Sequence, residues 1–449
     1  MQTATPLTIG CASGFSGDRT DGVAPVVQTL IRQNGHALIF ETLAERTLAL
    51  SQLAKNEDPD RGYEPLLDDL LQPALEPCLQ HGIKIVSNFG AANPPAAARR
   101  IKQLAAGLKQ REPRVAVLSG DQLDRPEQLD FLNEQLGDQL KGLEIVSMNA
   151  YQGATEIGQA LRAGADIVVA GRVADPSLTL GCALAHYDWR EDDWQRLGRA
   201  TMAGHLLECG TQVTGGYFAV PGIKDVPGMD TLGFPIAYID ETGDFTVGKA
   251  DQTGGLVDCR TVKEQLLYEV HDPAAYLTPD VVADLSRASV SEVGPNRVRI
   301  NGVQGHARPD TLKVNICYRG GWLGEAEISY AGVQAEARAR LAADTIQKRL
   351  GSQITLRFDL IGVLSIFSDD DGKLQAGAKP GQARDVRLRV AGSHQDRRVA
   401  ERILREVTAL YTCGPAGGGG VRTSLRSRLG SLSALMPRDL APAGWRFAD

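Results

Sequence analysis

Six short, almost wholly apolar runs punctuate the first part of the chain: LTIGC (7 to 11), ALIFE (37 to 41), IKIVSNF (83 to 89), VAVLSG (115 to 120), LEIVSMN (143 to 149) and DIVVAGR (166 to 172). Strands that read this way are those buried on both faces, which happens when helices cover both sides of a parallel sheet. The stretches between them are amphipathic and predict helices over 23–33, 65–80, 95–108, 127–140 and 155–163, with Gly164 as a C-terminal stop. The alternation predicts an α/β fold, a doubly wound three-layer domain with a parallel sheet. A closed barrel ranks below it, because a seventh and eighth βα unit are hard to find before residue 230.

From about residue 174 to 300 the pattern breaks into Gly- and Pro-punctuated segments such as TGGYFAVPGIKDVPGM. This reads as a loop-rich elaboration folded over the ligand face of the sheet, or as an irregular connector. Residues 301–449 read as a smaller α+β domain of order ββαββα. TLKVNICYRG and LGEAEISYAG are expected to pair as a hairpin, and the Gly-rich tail is expected to be mobile around 417 to 420. The division is thus 1–300 and 301–449.

Several function classes are excluded early. A net charge of −7 provides no broad basic field, so nucleic acid is not an expected partner. No apolar run approaches the roughly 20 residues that span a bilayer, and the N-terminus lacks the basic start and apolar stretch of a signal peptide, so no membrane association is expected and the cytoplasm is the expected compartment. Cys11, Cys78, Cys182, Cys209, Cys259, Cys317 and Cys413 are scattered without a CxxC pair and read as reduced small residues. A small-molecule ligand and, for a cytosolic metabolic protein, a homo-oligomer are expected.

Polar residues recur just after the apolar runs, which is where a parallel sheet binds ligands. In GCASGFSGDR, after the first run, Gly14, Ser16, Gly17, Asp18 and Arg19 are candidates for holding an anion at a helix start, although neither GxGxxG nor a P-loop is formed and Asp18 could simply cap the helix. Glu41 closes the second run as a candidate general base, with Glu45 and Arg46 one turn on. Asn88 ends the third and could donate to an oxyanion. Asp121, Asn149 and Tyr151 follow the fourth and fifth. In GRVADPSLTLG, Arg172, Asp175 and Ser177 surround a Pro176 turn; Arg172 could bind an anion, or pair with Asp175 and fasten the elaboration to the sheet. His205, Glu208 and Cys209 share a helix face, with His205 and Glu208 as a candidate acid/base pair. The face lacks the second His of HExxH, and no metal site is assigned. No G-x-S-x-G elbow is present, and no cofactor is evident.

GCASGFSGDR, ETLAERTLAL, IVSNFGAANP, GADIVVAGRVADPSLTLG, AGHLLECGTQVTGGYF, KDVPGMDTLGFPIA and EQLLYEVHDPAAYLTPDV together resemble the AtuA family of acyclic terpene utilisation, from residue 8 to about 430. The resemblance implies a role in degrading citronellol- or geraniol-type acids through acyl-CoA intermediates, with CoA entering as part of the substrate. Some relatives carry a further small C-terminal domain, which implies that a small partner subunit could supply it. The expected activity is a catabolic lyase or hydro-lyase acting on a branched carboxylate or acyl-CoA; the alternative is a non-catalytic binding or assembly subunit.

Overall fold

The computed structural model describes residues 5–377 and 381–449. The chain forms two compact units, one made of residues 1–317 with 431–449 and the other of residues 318–430. Sequence analysis placed a single boundary at 301. The boundaries of these units fall inside two long strands, Thr311–Ala331 and Gly419–Pro437.

The larger unit is built on a mixed sheet. Its parallel core consists of β1 (Leu7–Cys11), β2 (Ala37–Phe40), β3 (Lys84–Ser87), β4 (Val115–Ser119) and β6 (Ile167–Val169), side by side in the order β1-β2-β3-β6-β4. Alternate residues of these strands feed two separate cores, so both faces must be apolar. Leu38, Phe40, Ile85, Val117 and Val169 pack beneath helices Val23–Arg32 and Pro94–Gly107. Ile9, Ile39, Val86, Ala116 and Val168 pack beneath helices Thr155–Arg162, Ser177–Tyr187 and Trp194–Glu208. The result is the expected three-layer α/β arrangement. The helix expected over 65–80 is two, Leu67–Leu71 and Leu75–His81, interrupted around Pro73, whose ring and missing N–H stop the first from continuing.

The fifth apolar run departs from expectation. β5 (Ile145–Ala150) is not in the main sheet and pairs instead with the start of a long strand, β14 (Thr311–Ala331), where the Tyr151 N–H donates to the Lys313 carbonyl. Polar residues at Glu144, Ser147 and Asn149 make this run a poor occupant of a sheet covered on both faces, and its own burial is only partial. Around it lies a third core of Leu123, Leu132, Ala150, Val314, Ile316 and Met436.

The segment after residue 174 is also more regular than expected. It widens the same sheet with antiparallel strands β7 (Pro235–Ile239), β8 (Phe245–Lys249), β11 (Ser289–Gly294) and β12 (Arg297–Asn301), placed in the order β11-β12-β8-β7 against β1. Strands β9 (Tyr276–Leu277), β10 (Val282–Asp284) and β13 (Gln304–His306) form a small antiparallel sheet of their own. The opposite edge of the main sheet is closed by the end of the chain, where β18 (Gly444–Phe447) runs antiparallel to β4.

In the smaller unit the expected hairpin is a single strand. β14 bends at Gly321, which takes φ +83°, without reversing, and from Trp322 onward it pairs with β16 (Asp385–His394). The order becomes strand, helix Ala335–Leu350, β15 (Leu356–Ile361), β16, helix Arg397–Cys413, and β17 (Gly419–Pro437), with sheet order β15-β16-β14-β17. This βαββαβ arrangement with its interleaved strand order is the ferredoxin-like split βαβ motif, and it replaces the expected ββαββα. Gly419 and Gly420, expected in a mobile tail, open β17.

Candidate functional site

The parallel core places the ends of β1, β2 and β6 around one polar cleft of about 610 Å³. Among the expected site residues, Gly14, Asp18, Glu41, Arg172, Asp175 and Glu208 line it. Glu45, Tyr151, Cys209, Glu269 and Lys313 lie in its walls too, with Thr211, Gln212, Tyr217 and Tyr268 among the rest. A second cavity of about 360 Å³ shares Tyr151, Asp175 and Lys313 with the first and is otherwise mostly apolar, lined by Pro176, Tyr276, Leu277, Pro309, Leu312 and Leu435.

Glu41 is the most deliberately held group. It follows β2 and is 5 % exposed; its Oε1 accepts from the Leu43 N–H at 2.8 Å and from Nδ2 of Asn88 at 2.7 Å. Burial raises this carboxyl to about 8, assisted by the charge of Asp175 and opposed by Arg172 and the two hydrogen bonds. Asn88 is fully buried outside the cleft. Its amide N–H serves Glu41, and its oxygen accepts from the Thr42 N–H, so it positions a carboxyl rather than offering a donor to a ligand.

On the helix that ends at Glu208, His205 is 1 % exposed and sits behind Glu208, with Nδ1 2.9 Å from Glu208 Oε1 and Nε2 3.0 Å from the Gln265 carbonyl oxygen. Burial pushes the imidazole down to about 4. Burial also pushes Glu208 well above the usual carboxylate range, with Asp175 and Glu269 adding to it. The pair is therefore neutral at ordinary pH. Cys209 beside it is kept a thiol by burial, so it is no nucleophile.

Arg172 is 1 % exposed, and its guanidinium is spent internally. Nε donates to the Val173 carbonyl at 2.8 Å, Nη1 to the Leu43 carbonyl, and Nη2 to Val173 and to Asp175 in an ion pair. Of the two roles open in the sequence, fastening is the one its contacts satisfy. The ring of Tyr151 is flanked by Arg172 at 4.5 Å and Lys313 at 4.7 Å, and its hydroxyl donates to Glu45 at 2.5 Å. Burial alone would raise Glu45, but the bonds from Tyr151 and Lys313 outweigh it and hold this carboxyl at about 2.

The first loop is held by its own residues. The helix begins at Val23 rather than at Asp18, and Asp18 instead accepts from the Gly14 N–H at 2.8 Å and the Arg19 N–H at 2.7 Å. A Cβ on Gly14 would come within 2.5 Å of the Cys209 backbone carbon, so glycine here lets the loop lie against the end of the helix that carries Glu208. Ser16, Gly17 and Arg19 do not line the cleft; Arg19 forms a two-pronged pair with Asp21. Two further candidates are anchors: Asp121 accepts from the Arg172 N–H and from Asn149, and Ser177 donates to Asp280 at 2.6 Å. Lys313, Glu269 and Asp280 were not singled out from the sequence: Glu269 and Asp280 lie in the quoted segment EQLLYEVHDPAAYLTPDV and Lys313 in the strand TLKVNICYRG, but all three lie far along the chain from the apolar runs whose ends were searched. Among the described residues, no three His, Cys, Asp or Glu side chains form a set able to hold a metal ion, and no helix is long and apolar enough to cross a membrane.

Fold and site thus define a mixed α/β protein with a carboxyl-rich cleft at the carboxyl ends of its parallel strands, beside an apolar cavity. The chain belongs to the family described as acyclic terpene utilisation family protein AtuA, whose model matches residues 7–447. No curated protein matches it.

Proposed function

We propose that this protein is a catabolic lyase or hydro-lyase that acts by proton transfer on a branched carboxylate or its acyl-CoA ester, of the kind met in acyclic terpene degradation. The observation that carries this reading is the presence of two carboxyl groups, Glu41 and Glu208, both raised by burial in one cleft that shares a wall with an apolar cavity. A carboxyl at about 8 exchanges its proton near neutral pH, which suits a general acid or base. The apolar cavity suits a branched aliphatic chain, and family membership supports the terpene-like class. In this reading Glu41 moves the proton, Asn88 fixes its orientation, and Arg172 with Asp175 holds the two loops together beneath it.

The purified protein, incubated with a panel of branched 3-hydroxyacyl-CoA esters, is expected to release a cleavage or dehydration product detectable by mass spectrometry. Glu41→Gln keeps both hydrogen bonds at Oε1 but removes the exchangeable proton, and is expected to lower kcat by about 10²- to 10⁴-fold. Absence of turnover across the panel, with and without divalent metal ions, would sink the proposal.

A second reading, a binding or assembly subunit, draws on the exposed Phe15 and Tyr217 on the cleft and Leu277 and Leu435 on the apolar cavity. Capture of a defined partner enzyme whose activity depends on this protein, together with absence of turnover by the protein alone, would favour it.

A further inference from the structure

Charge is divided unevenly between the two units. The chain holds 48 Lys and Arg against 55 Asp and Glu, and residues 318–430 take 18 of the former and 12 of the latter, which gives the smaller unit a net charge of +6 and leaves −13 on the larger. Much of the positive charge lies on one surface. Helices Ala335–Leu350 and Arg397–Cys413 cover one face of the four-stranded sheet. On the other face Arg389 pairs with Glu325 and Asp359, Arg387 with Glu327, Arg357 with Asp359, and Arg426 of β17 with Glu325. Those pairs use all three carboxylates. Arg422 and Arg428 stand at even spacings from Arg426 on β17 and so share its face. Both are exposed, and among the described residues neither has an ion-pair or hydrogen-bond partner.

The complementary charge is on the larger unit. Helix Pro126–Leu136 turns Glu127, Asp130 and Glu134 to solvent at spacings of three and four residues, hence on one face, and Asp138 follows just past its end; all four are exposed. Glu127 is paired with Arg125, whereas Asp130, Glu134 and Asp138 have no partner among the described residues. The arrangement is unfavourable in isolation. Asp130 and Glu134 repel across one helical turn, and Glu134 and Asp138 lie at the negative end of the helix dipole, whose last turn holds no basic residue. A cationic surface brought to this face relieves both. The two rows also match in length. Arg422 to Arg428 spans about 20 Å along a strand, and Glu127 to Asp138 spans about 16 Å along the helix axis.

We propose that two copies of this chain associate, the arginine row of β17 in each docking on the acidic face of helix Pro126–Leu136 in the other. Guanidinium forks bind carboxylates two-pronged, and a two-fold axis that makes both contacts at once closes the assembly as a dimer. Nucleic acid is the other polyanion that an arginine-lined sheet could meet. The aromatic side chains of these strands, however, are turned from the open face: Tyr330 and Phe358 pack in the helix-covered core, and Trp322 lies against Arg397 of helix Arg397–Cys413. Among the described residues the open face therefore offers bases no ring to stack on. The association is independent of the reaction proposed above.

The test is sedimentation velocity of the full chain at about 50 mM and about 500 mM NaCl, because contacts between exposed charges weaken as salt screens them. The chain is expected to be a dimer at the lower salt, with a dissociation constant about tenfold or more higher at the higher salt. Arg422→Glu combined with Arg428→Glu, and separately Asp130→Lys combined with Glu134→Lys, are each expected to give monomer at the lower salt. All four positions are exposed, so both variants are expected to fold, which circular dichroism checks. Mixed in equal amounts, the two variants are expected to regain the dimer: a reversed row on one copy meets a reversed row on the other, and the second contact is the parental one. A parent chain that is monomeric at the lower salt, a dimer that salt does not weaken, a dimer that survives either reversal, or a mixture of the folded variants that stays monomeric would each overturn the proposal. Retention of single-stranded RNA by a monomeric parent chain would do the same and assign the arginine face to nucleic acid. The salt series on the parent chain decides the matter even if a variant does not fold.

Discussion

Glu41 carries a consequence for stability that can be measured apart from catalysis. In the unfolded chain its carboxyl ionises near the ordinary glutamate value of about 4.5, and in the folded protein at about 8. Between those limits the folded state holds a proton that the unfolded state has released, so stability falls as pH rises through that window. Glu41→Gln removes this dependence and keeps the contacts to Leu43 and Asn88. The variant is expected to match the parent near pH 5 and to exceed it by a few kcal/mol above pH 8, read from urea denaturation across the range; a constant difference between the two at all pH values would count against a buried, protonated Glu41. The same residue shows what sequence could convey. That Glu41 ends a strand facing the ligand side was legible from the apolar run before it. That Asn88 serves Glu41 was not, because an amide after a strand looks the same whether it donates to a neighbour or to a ligand. Arg172 poses the same ambiguity, and only the positions of the Leu43 and Val173 carbonyls resolve it.

At the level of elements, one constraint on the site is how closely helix Trp194–Glu208 approaches the turn at Pro176. A Cβ on Gly204 would lie 2.6 Å from the Pro176 carbonyl oxygen and 2.8 Å from its Cα, both backbone atoms that cannot step aside cheaply. Gly204→Ala should gain about 1 kcal/mol in helix propensity yet lose more through this overlap, for a net destabilisation of about 1–3 kcal/mol measured by denaturant unfolding. An alanine variant as stable as the parent would mean the helix can shift freely, and with it Glu208. Helices and buried strands of the parallel core were legible because their periodicity reflects burial directly. β5 was misplaced because an apolar run of that length fits either a central strand or a strand on a side sheet, and Glu144, Ser147 and Asn149 were the local signs of the difference. The strand β14 was read as a hairpin because its paired glycines satisfy the rule for a turn; whether such a pair reverses the chain or only bends it is decided by the partner strands on either side. The antiparallel extension β7, β8, β12 and β11 was missed for a related reason: its short strands lie between turn residues that also describe loops.

Across the whole molecule, the smaller unit has the character of an insertion. The chain leaves the larger unit after Cys317 and rejoins it at Ser431, and the two crossings are neighbours, since a Cβ on Gly430 would lie 2.4 Å from the ring of Tyr318. Its core, from Ile328, Tyr330, Ile346, Leu388, Val390, Ile403 and Val407, is separate and complete. Residues 318–430 expressed alone are expected to unfold cooperatively, and joining residue 317 to 431 through a short Gly/Ser linker is expected to leave the larger unit folded, both judged by circular dichroism and thermal melting; a linked variant lacking a cooperative transition would show that the larger unit depends on the insertion. The closing strand β18 sets a different kind of limit. Its partner β4 is synthesised more than three hundred residues earlier in the chain, and until Gly444–Phe447 have left the ribosome that edge of the main sheet stands open, with Val117 and Leu118 lacking the strand that seals them. The larger unit therefore gains this sheet edge only after the whole insertion has been made. Nascent chains of this protein should spend the interval as good clients for chaperones that shield unpaired strand edges.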